Sequence, residues 1–289
     1  MTIICVFDVE TTGLLPKLSP YSNQKINPET LPYITQLSYA LYDIEAKMLI
    51  KTFNQYVNVP AHVSISEKVS TLTGITREKL NELGVDINIV LESFYDAYSR
   101  SDIAVAHNIE FDGRMIELET KRNFTPLKTY NGTPLAKQSV PLEIQVQQLP
   151  INELNGMPLL LRLRGACPIS NLHRCKMHFQ ADTESLSIFA DQIYNDNIRA
   201  QYKMTDIVSI CTMKTSADLC NIEKINSRGP YKKFPTLCEL HEKLFNESPK
   251  NLHNSMVDVL ICLKCYLKKD LDIDLSSDEF ASYIEVAMQ

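Results

Sequence analysis

Residues 3–7 (IICVF) form an unbroken apolar run, the pattern of a short strand buried on both faces. Residues 34–43 (ITQLSYALYD) and 48–59 (MLIKTFNQYVNV) are rich in β-branched and aromatic side chains, and the short link between them suits a hairpin. Three strands in succession are therefore expected to open the fold. Between the first two, residues 14–31 carry three prolines among Ser, Asn and Gln and read as a surface loop. It is long for a connection inside a compact domain, as loops that serve a nearby site commonly are.

The period then changes. Residues 63–72 and 76–83 predict short helices around a TGIT sequence, and 87–100 a longer one, with Ile87, Val90, Leu91, Phe94 and Tyr98 on one face. Residues 102–106 (DIAVA) read as a short buried strand. A helix to about residue 122 follows, with Asn108 as N-cap and Lys121 and Arg122 suited to its C-terminal end. Residues 126–203 show little periodicity at first, then a helical pattern at 182–201. A strand is expected at 206–210 and helices at 211–220, 236–245 and 254–267. The tail from Lys269 is acidic, with a short helix at 278–287. There is no internal repeat.

Composition narrows the class. A chain of 289 residues with formal net charge −6 is a poor candidate for wrapping a long duplex, where affinity comes from many phosphate contacts. An acidic protein can still grip a few nucleotides through bound cations, which invert the local sign. Eight cysteines without a regular framework, and no apolar leader, predict a soluble protein of a reducing intracellular compartment. No apolar run approaches membrane-spanning length. Cys262 and Cys265 stand in an apolar helical pattern and read as small core residues.

The candidate chemistry is acidic. The first strand ends in FDVETTG, residues 7–13, and side chains two apart on a strand point the same way, so Asp8 and Glu10 project together. Paired carboxylates repel unless a cation sits between them, and hard divalent cations bind carboxylate oxygens. HNIEFD, residues 107–112, places Asp112 at a helix start. LHNSMVD, residues 252–258, puts His253 before a helix and Asp258 within it. Each alone has an ordinary explanation as a surface acid or loop histidine; the three in this order, each at an element boundary, do not.

These three motifs resemble those of the DEDDh exonucleases, the DnaQ-like family with a ribonuclease H-like fold. TGIT at residues 73–76, CTMKTSADLC at 211–220 and the helix, connection and His-x₄-Asp of 235–258 resemble the family's usual surroundings. The resemblance implies an α/β fold, a mixed five-stranded sheet flanked by helices, with an insertion between the second and third motifs. The implied division is an exonuclease domain of residues 1–125 and 206–268, an insertion of 126–205 and a tail of 269–289. It also implies that Asp8, Glu10, Asp112 and Asp258 hold two Mg²⁺ or Mn²⁺ ions, that His253 is the general base, and that Thr11, Thr12, Leu14 and Asn108 contact the terminal nucleotide. Thr73 stands where many relatives carry histidine.

The expected activity is 3′→5′ removal of nucleoside monophosphates from single-stranded or frayed ends, DNA before RNA. RNA 3′ trimming stays open, as does a catalytically silent protein binding nucleic-acid ends or, through its tail helix, a polymerase. Cys167, His173, Cys175 and His178 could hold Zn²⁺ in the insertion, though their spacing follows no common finger. Lys214, Lys224, Arg228, Lys232 and Lys233 are the only basic concentration, set either to steer a phosphate backbone or as a solvated loop. Tyr231 and Phe234 could stack on bases, with core packing the first expectation for Phe234.

Overall fold

The N-terminal apolar run is the middle of the sheet. In the computed structural model, β1 (Ile3–Thr11) has β2 (Ile34–Asp43) antiparallel on one side and β4 (Ile103–Ala106) parallel on the other. β3 (Met48–Tyr56) extends the antiparallel side and β5 (Val208–Cys211) the parallel side, giving the order β3-β2-β1-β4-β5. The structure describes residues 1–16, 27–123, 207–227, 229–249 and 252–287. Met1–Glu119 with Asp206–Gln289 form one compact unit and Thr120–Thr205 a second. Among the described residues, all the strands and all the helices except the last turn of α4 (Ile109–Asn123) belong to the first unit.

Alternation along β1 decides what covers each face. Ile4 and Val6 join Ala40, Tyr42 and the apolar side chains of α8 (Ser255–Leu271) in one core cluster. Phe7, on the opposite face, packs edge-on against Phe94 and Tyr98 of α3 (Ile87–Ser99), with ring centroids 5.1 and 6.3 Å away. α8 is apolar nearly all round because it is covered nearly all round. It lies against β1, β2 and β4 and also contacts α7 (Leu237–Phe245) and α9 (Ser277–Ala287). Asn254 caps its start by accepting the Met256 amide, and Asp272 ends it in the left-handed region at φ 51°.

Some elements differ from the sequence expectation at their edges, for local reasons. β3 stops at Tyr56, and Val57 instead makes an isolated parallel bridge to Val85. α1 (Glu67–Thr73) begins after residue 63 because the Ser66 hydroxyl accepts the Val69 amide, and it ends at Gly74, φ 67°. α2 (Arg77–Leu83) starts from the Thr76 cap. The single helix expected at 211–220 is two short ones, α5 (Thr212–Thr215) and α6 (Ala217–Cys220), broken at Ser216. After it the chain forms an unexpected hairpin, β6 (Ile222–Asn226) with β7 (Gly229–Lys233).

The C-terminal stretch is part of this core. Phe280, Tyr283 and Ile284 of α9 pack on the cluster around α8, so the apolar face once open to a polymerase is used within the chain. Among the described residues no helix is long and apolar enough to cross a membrane.

Candidate active site

β1 outruns its parallel neighbour. Its last registered pair with β4 is Val6 with Val105, so from Phe7 onward that edge has no strand beside it. The start of α4 serves it instead: the Asp112 carboxyl accepts the Val9 amide. Asn108 stands just before α4, its carbonyl accepting the amides of Phe111 and Asp112. This is the carboxyl end of the parallel strands, where ligands bind in open α/β sheets.

The same two-residue alternation that buries Ile4 and Val6 under α8 puts Asp8 and Glu10 on the face that α8 covers. At the start of that helix the Ser255 hydroxyl donates to the Asp8 main-chain carbonyl at 2.8 Å. Asp258, in its first turn, accepts the His253 amide at 3.2 Å through Oδ2. His253 itself is exposed and holds φ 68°, a left-handed conformation that side chains other than glycine rarely take. Ligand atoms of Glu10, His253 and Asp258 all lie within 4.8 Å of one another.

The four acids interact electrostatically. Burial pushes the Asp8 carboxyl up to about 7, with the Ser255 hydroxyl partly offsetting it. Burial, then repulsion from Asp8 and Asp258, raises Glu10 to about 9. Burial and Asp8 raise Asp258 to about 8, against the His253 amide. Asp112 is held well above the usual carboxylate range by burial and by Asp8, against the Val9 amide. Asp8 Oδ2 and Asp258 Oδ1 are shielded from solvent and have no hydrogen-bond partner among the described residues. Carboxylate oxygens left this way are costly, and a hard divalent cation, which takes oxygen ligands, answers that cost. The donor set fits such an ion.

The remaining sequence candidates are distributed as follows. The Thr11 hydroxyl donates to the Gly13 carbonyl, and Thr12 exchanges two hydrogen bonds with the Tyr33 backbone, so both fix the turn that follows Glu10. Leu14 beyond it is 83% exposed. Cys262 and Cys265 are buried core thiols, as expected. The basic group is largely neutralised: Lys214 pairs with Glu110, Lys232 with Asp218 and Lys233 with Glu239. Phe234 is not in the core but 49% exposed, since it follows the last residue of β7 and precedes Pro235. Cys167, His173, Cys175, His178 and Arg228 lie outside the described residues, as does the helix expected at 182–201.

The first residue of the second motif carries a role that its spacing did not reveal. His107 is half-buried, with Nε2 3.1 Å from the Pro235 carbonyl and Nδ1 3.0 Å from the Thr212 hydroxyl. A carbonyl can only accept, so Nε2 holds the proton and Nδ1 accepts from Thr212. Burial pushes this imidazole down to about 4, keeping it neutral near pH 7. It ties the β4–α4 connection to α5 and to the approach to α7.

The mixed five-stranded sheet flanked by helices matches a ribonuclease H-like exonuclease fold. The exonuclease family model, RNase_T, matches residues 5–134 of the chain. The chain is similar to E. coli exonuclease I solved with a dT13 oligonucleotide, at 14% identity and TM-score 0.51, covering 94% of this chain and 42% of that one. A second exonuclease I structure, described in terms of its processivity, is 13% identical with TM-score 0.51 over 99% of this chain and 44% of that one. The nuclease domain of 3'hExo, a DEDDh family member bound to rAMP, is 18% identical with TM-score 0.33, covering 42% of this chain and 60% of that one. The chain thus spans less than two thirds of the length of each of these proteins. No curated protein sequence matches it.

Proposed function

We propose that the protein is a metal-dependent 3′→5′ exonuclease that releases nucleoside monophosphates from single-stranded or frayed 3′ ends, DNA in preference to RNA. The observation that carries this reading is the meeting of Asp8, Glu10, Asp112 and Asp258, from three distant parts of the chain, with two buried oxygens left unpaired. These four would hold the ions, which when bound supply an activated water and charge stabilisation at phosphorus. His253 is the proton acceptor: it is exposed, at the mouth of the cluster, and its main chain is held by Asp258. Leu14 and the turn fixed by Thr11 and Thr12 follow directly on the acids of β1 and suit contact with the terminal nucleotide, with Asn108 at the start of α4. The preference for DNA rests on the sequences of β2 and of α5–α6, which resemble DNA-directed members of the family.

The test is a digest of 5′-labelled single-stranded DNA, duplex DNA and RNA with Mg²⁺, Mn²⁺ or chelator. Stepwise shortening from the 3′ end that stops in chelator, faster on DNA, is expected. Internal cuts, or shortening that persists in chelator, overturn the reading; faster shortening of RNA overturns the preference alone.

A further inference from the structure

The β6–β7 hairpin is hard to account for as a structural element. A two-stranded ribbon is marginal unless one face is buried, and here neither is: on β6 only Ile222 is even half-buried, and on β7 only Gly229 and Lys233. Its base is pinned by ion pairs, Lys232 to Asp218 at 2.7 Å and Lys233 to Glu239 at 2.7 Å. The rest projects with its apolar groups outward. Ile225 is 83% exposed, Tyr231 44% and the adjoining Phe234 49%. Single exposed apolar residues are ordinary, and Ile225, paired with Pro230, lies on the face opposite Tyr231; Tyr231 and the adjoining Phe234 are exposed aromatic groups at the β7 end of the ribbon.

Charge and position say what that surface contacts. Of the described basic residues in the stretch 222–233, Lys232 and Lys233 are taken up by the ion pairs at its base, and Lys224 is not. Lys224 is directly across the ladder from Tyr231, on the same face, and is exposed with no ion pair to any described residue. An open cation beside an exposed aromatic ring is the pairing that takes a phosphate and a stacked base together. The ribbon is also tied to the β4–α4 connection, which leads into the helix carrying Asp112. Phe234 immediately precedes Pro235, whose carbonyl is held by His107, and His107 opens the motif that ends in Asp112. A polyanion with unpaired bases fits this surface; a protein partner does not need the lysine beside the ring.

We propose that the β6–β7 hairpin is a stacking platform for single-stranded nucleic acid, gripping the strand upstream of the 3′ end through Tyr231, Phe234 and Lys224. This rests on the exonuclease reading and adds to it a dependence on substrate length. A short oligonucleotide fills the acid cluster alone, whereas a longer one also reaches the hairpin.

The test compares the protein with a Tyr231→Ala/Phe234→Ala variant and, separately, Lys224→Ala, all at exposed positions, on dT4 and dT16. Loss of one or two stacked bases corresponds to about tenfold, so the kcat/KM advantage of dT16 over dT4 should fall about tenfold in the double variant. Fluorescence anisotropy of labelled dT16 in chelator should show a similar loss of affinity, with Lys224→Ala flattening its salt dependence. An unchanged dT16 advantage and unchanged anisotropy overturn the platform. Should the parent protein shorten no oligonucleotide, the exonuclease reading fails, and the anisotropy comparison still decides whether the hairpin binds single strands.

Discussion

Ser255 donates its hydroxyl to the main-chain carbonyl of Asp8 at 2.8 Å, joining positions 247 residues apart in the chain. The bond fixes the first turn of α8 to the strand that carries two of the acids, and Asp258 rides on that turn. Ser255 is fully buried, so removing its hydroxyl leaves the carbonyl facing a void. Ser255→Ala should lower stability by about 1 kcal/mol in urea unfolding. It should also slow turnover about tenfold, because a shift of under an ångström misaligns a site of this kind. Unfolding that shifts as expected with turnover unchanged would show that the bond holds the fold but not the acids.

The raised carboxyls make stability depend on pH in a definite direction. Unfolded Asp and Glu release their protons near about pH 4, whereas Asp8, Asp258 and Glu10 in the folded chain hold theirs to about 7, 8 and 9. The folded state therefore binds more protons across that window, and in chelator its stability should fall as pH rises from about 4 to about 9. Divalent ions bind only the ionised carboxylates. The rise in melting temperature on adding Mn²⁺ should accordingly grow between pH 6 and pH 9. Asp8→Asn removes one of the titrating acids, so it should flatten the chelator profile, shrink the Mn²⁺ effect and abolish turnover. A melting temperature that climbs with pH in chelator would contradict the burial of these groups.

Much of this was legible because it is local. The strand of β1, the helices α3, α7 and α8, and the pairing of Asp8 with Glu10 follow from periods of 2 and 3.6 that the apolar residues keep. The β6–β7 hairpin was not legible, because a ribbon exposed on both faces has no apolar side to generate a period. Phe234 was misjudged from residue type: its place outside the strand, next to Pro235, leaves it 49% exposed. The role of His107 depends on partners 105 and 128 residues away, and no window along the chain contains them. The helix at the C-terminal end was visible, but its attachment to the core depends on side chains that only folding brings together.

That attachment can be tested. Lys264, buried in α8, places its ammonium 4.3 Å from the Phe245 ring centroid and 4.7 Å from that of Phe280, the latter on α9. Phe280→Ala removes one wall of this arrangement and part of the apolar surface that holds α9. A loss of about 1–3 kcal/mol is expected, with limited proteolysis now cutting first in the stretch after Leu271. Cleavage that stays at its original sites would mean α9 is held by other contacts.

His253 offers the sharpest separation of backbone from side chain. Its φ of 68° costs about 1 kcal/mol for a residue with a Cβ, and glycine adopts it freely. The contact its main chain makes, the amide given to Asp258 Oδ2, survives any substitution that keeps the N–H. His253→Gly should therefore unfold within about 1 kcal/mol of the parent, and His253→Ala somewhat earlier. Both should lose at least about 10²-fold in turnover near neutral pH, the usual contribution of a general base. Added imidazole should restore part of the activity in His253→Gly, where it has room. A glycine variant that turns over normally would show that the strained backbone is there for the Asp258 contact and that the ring takes no proton.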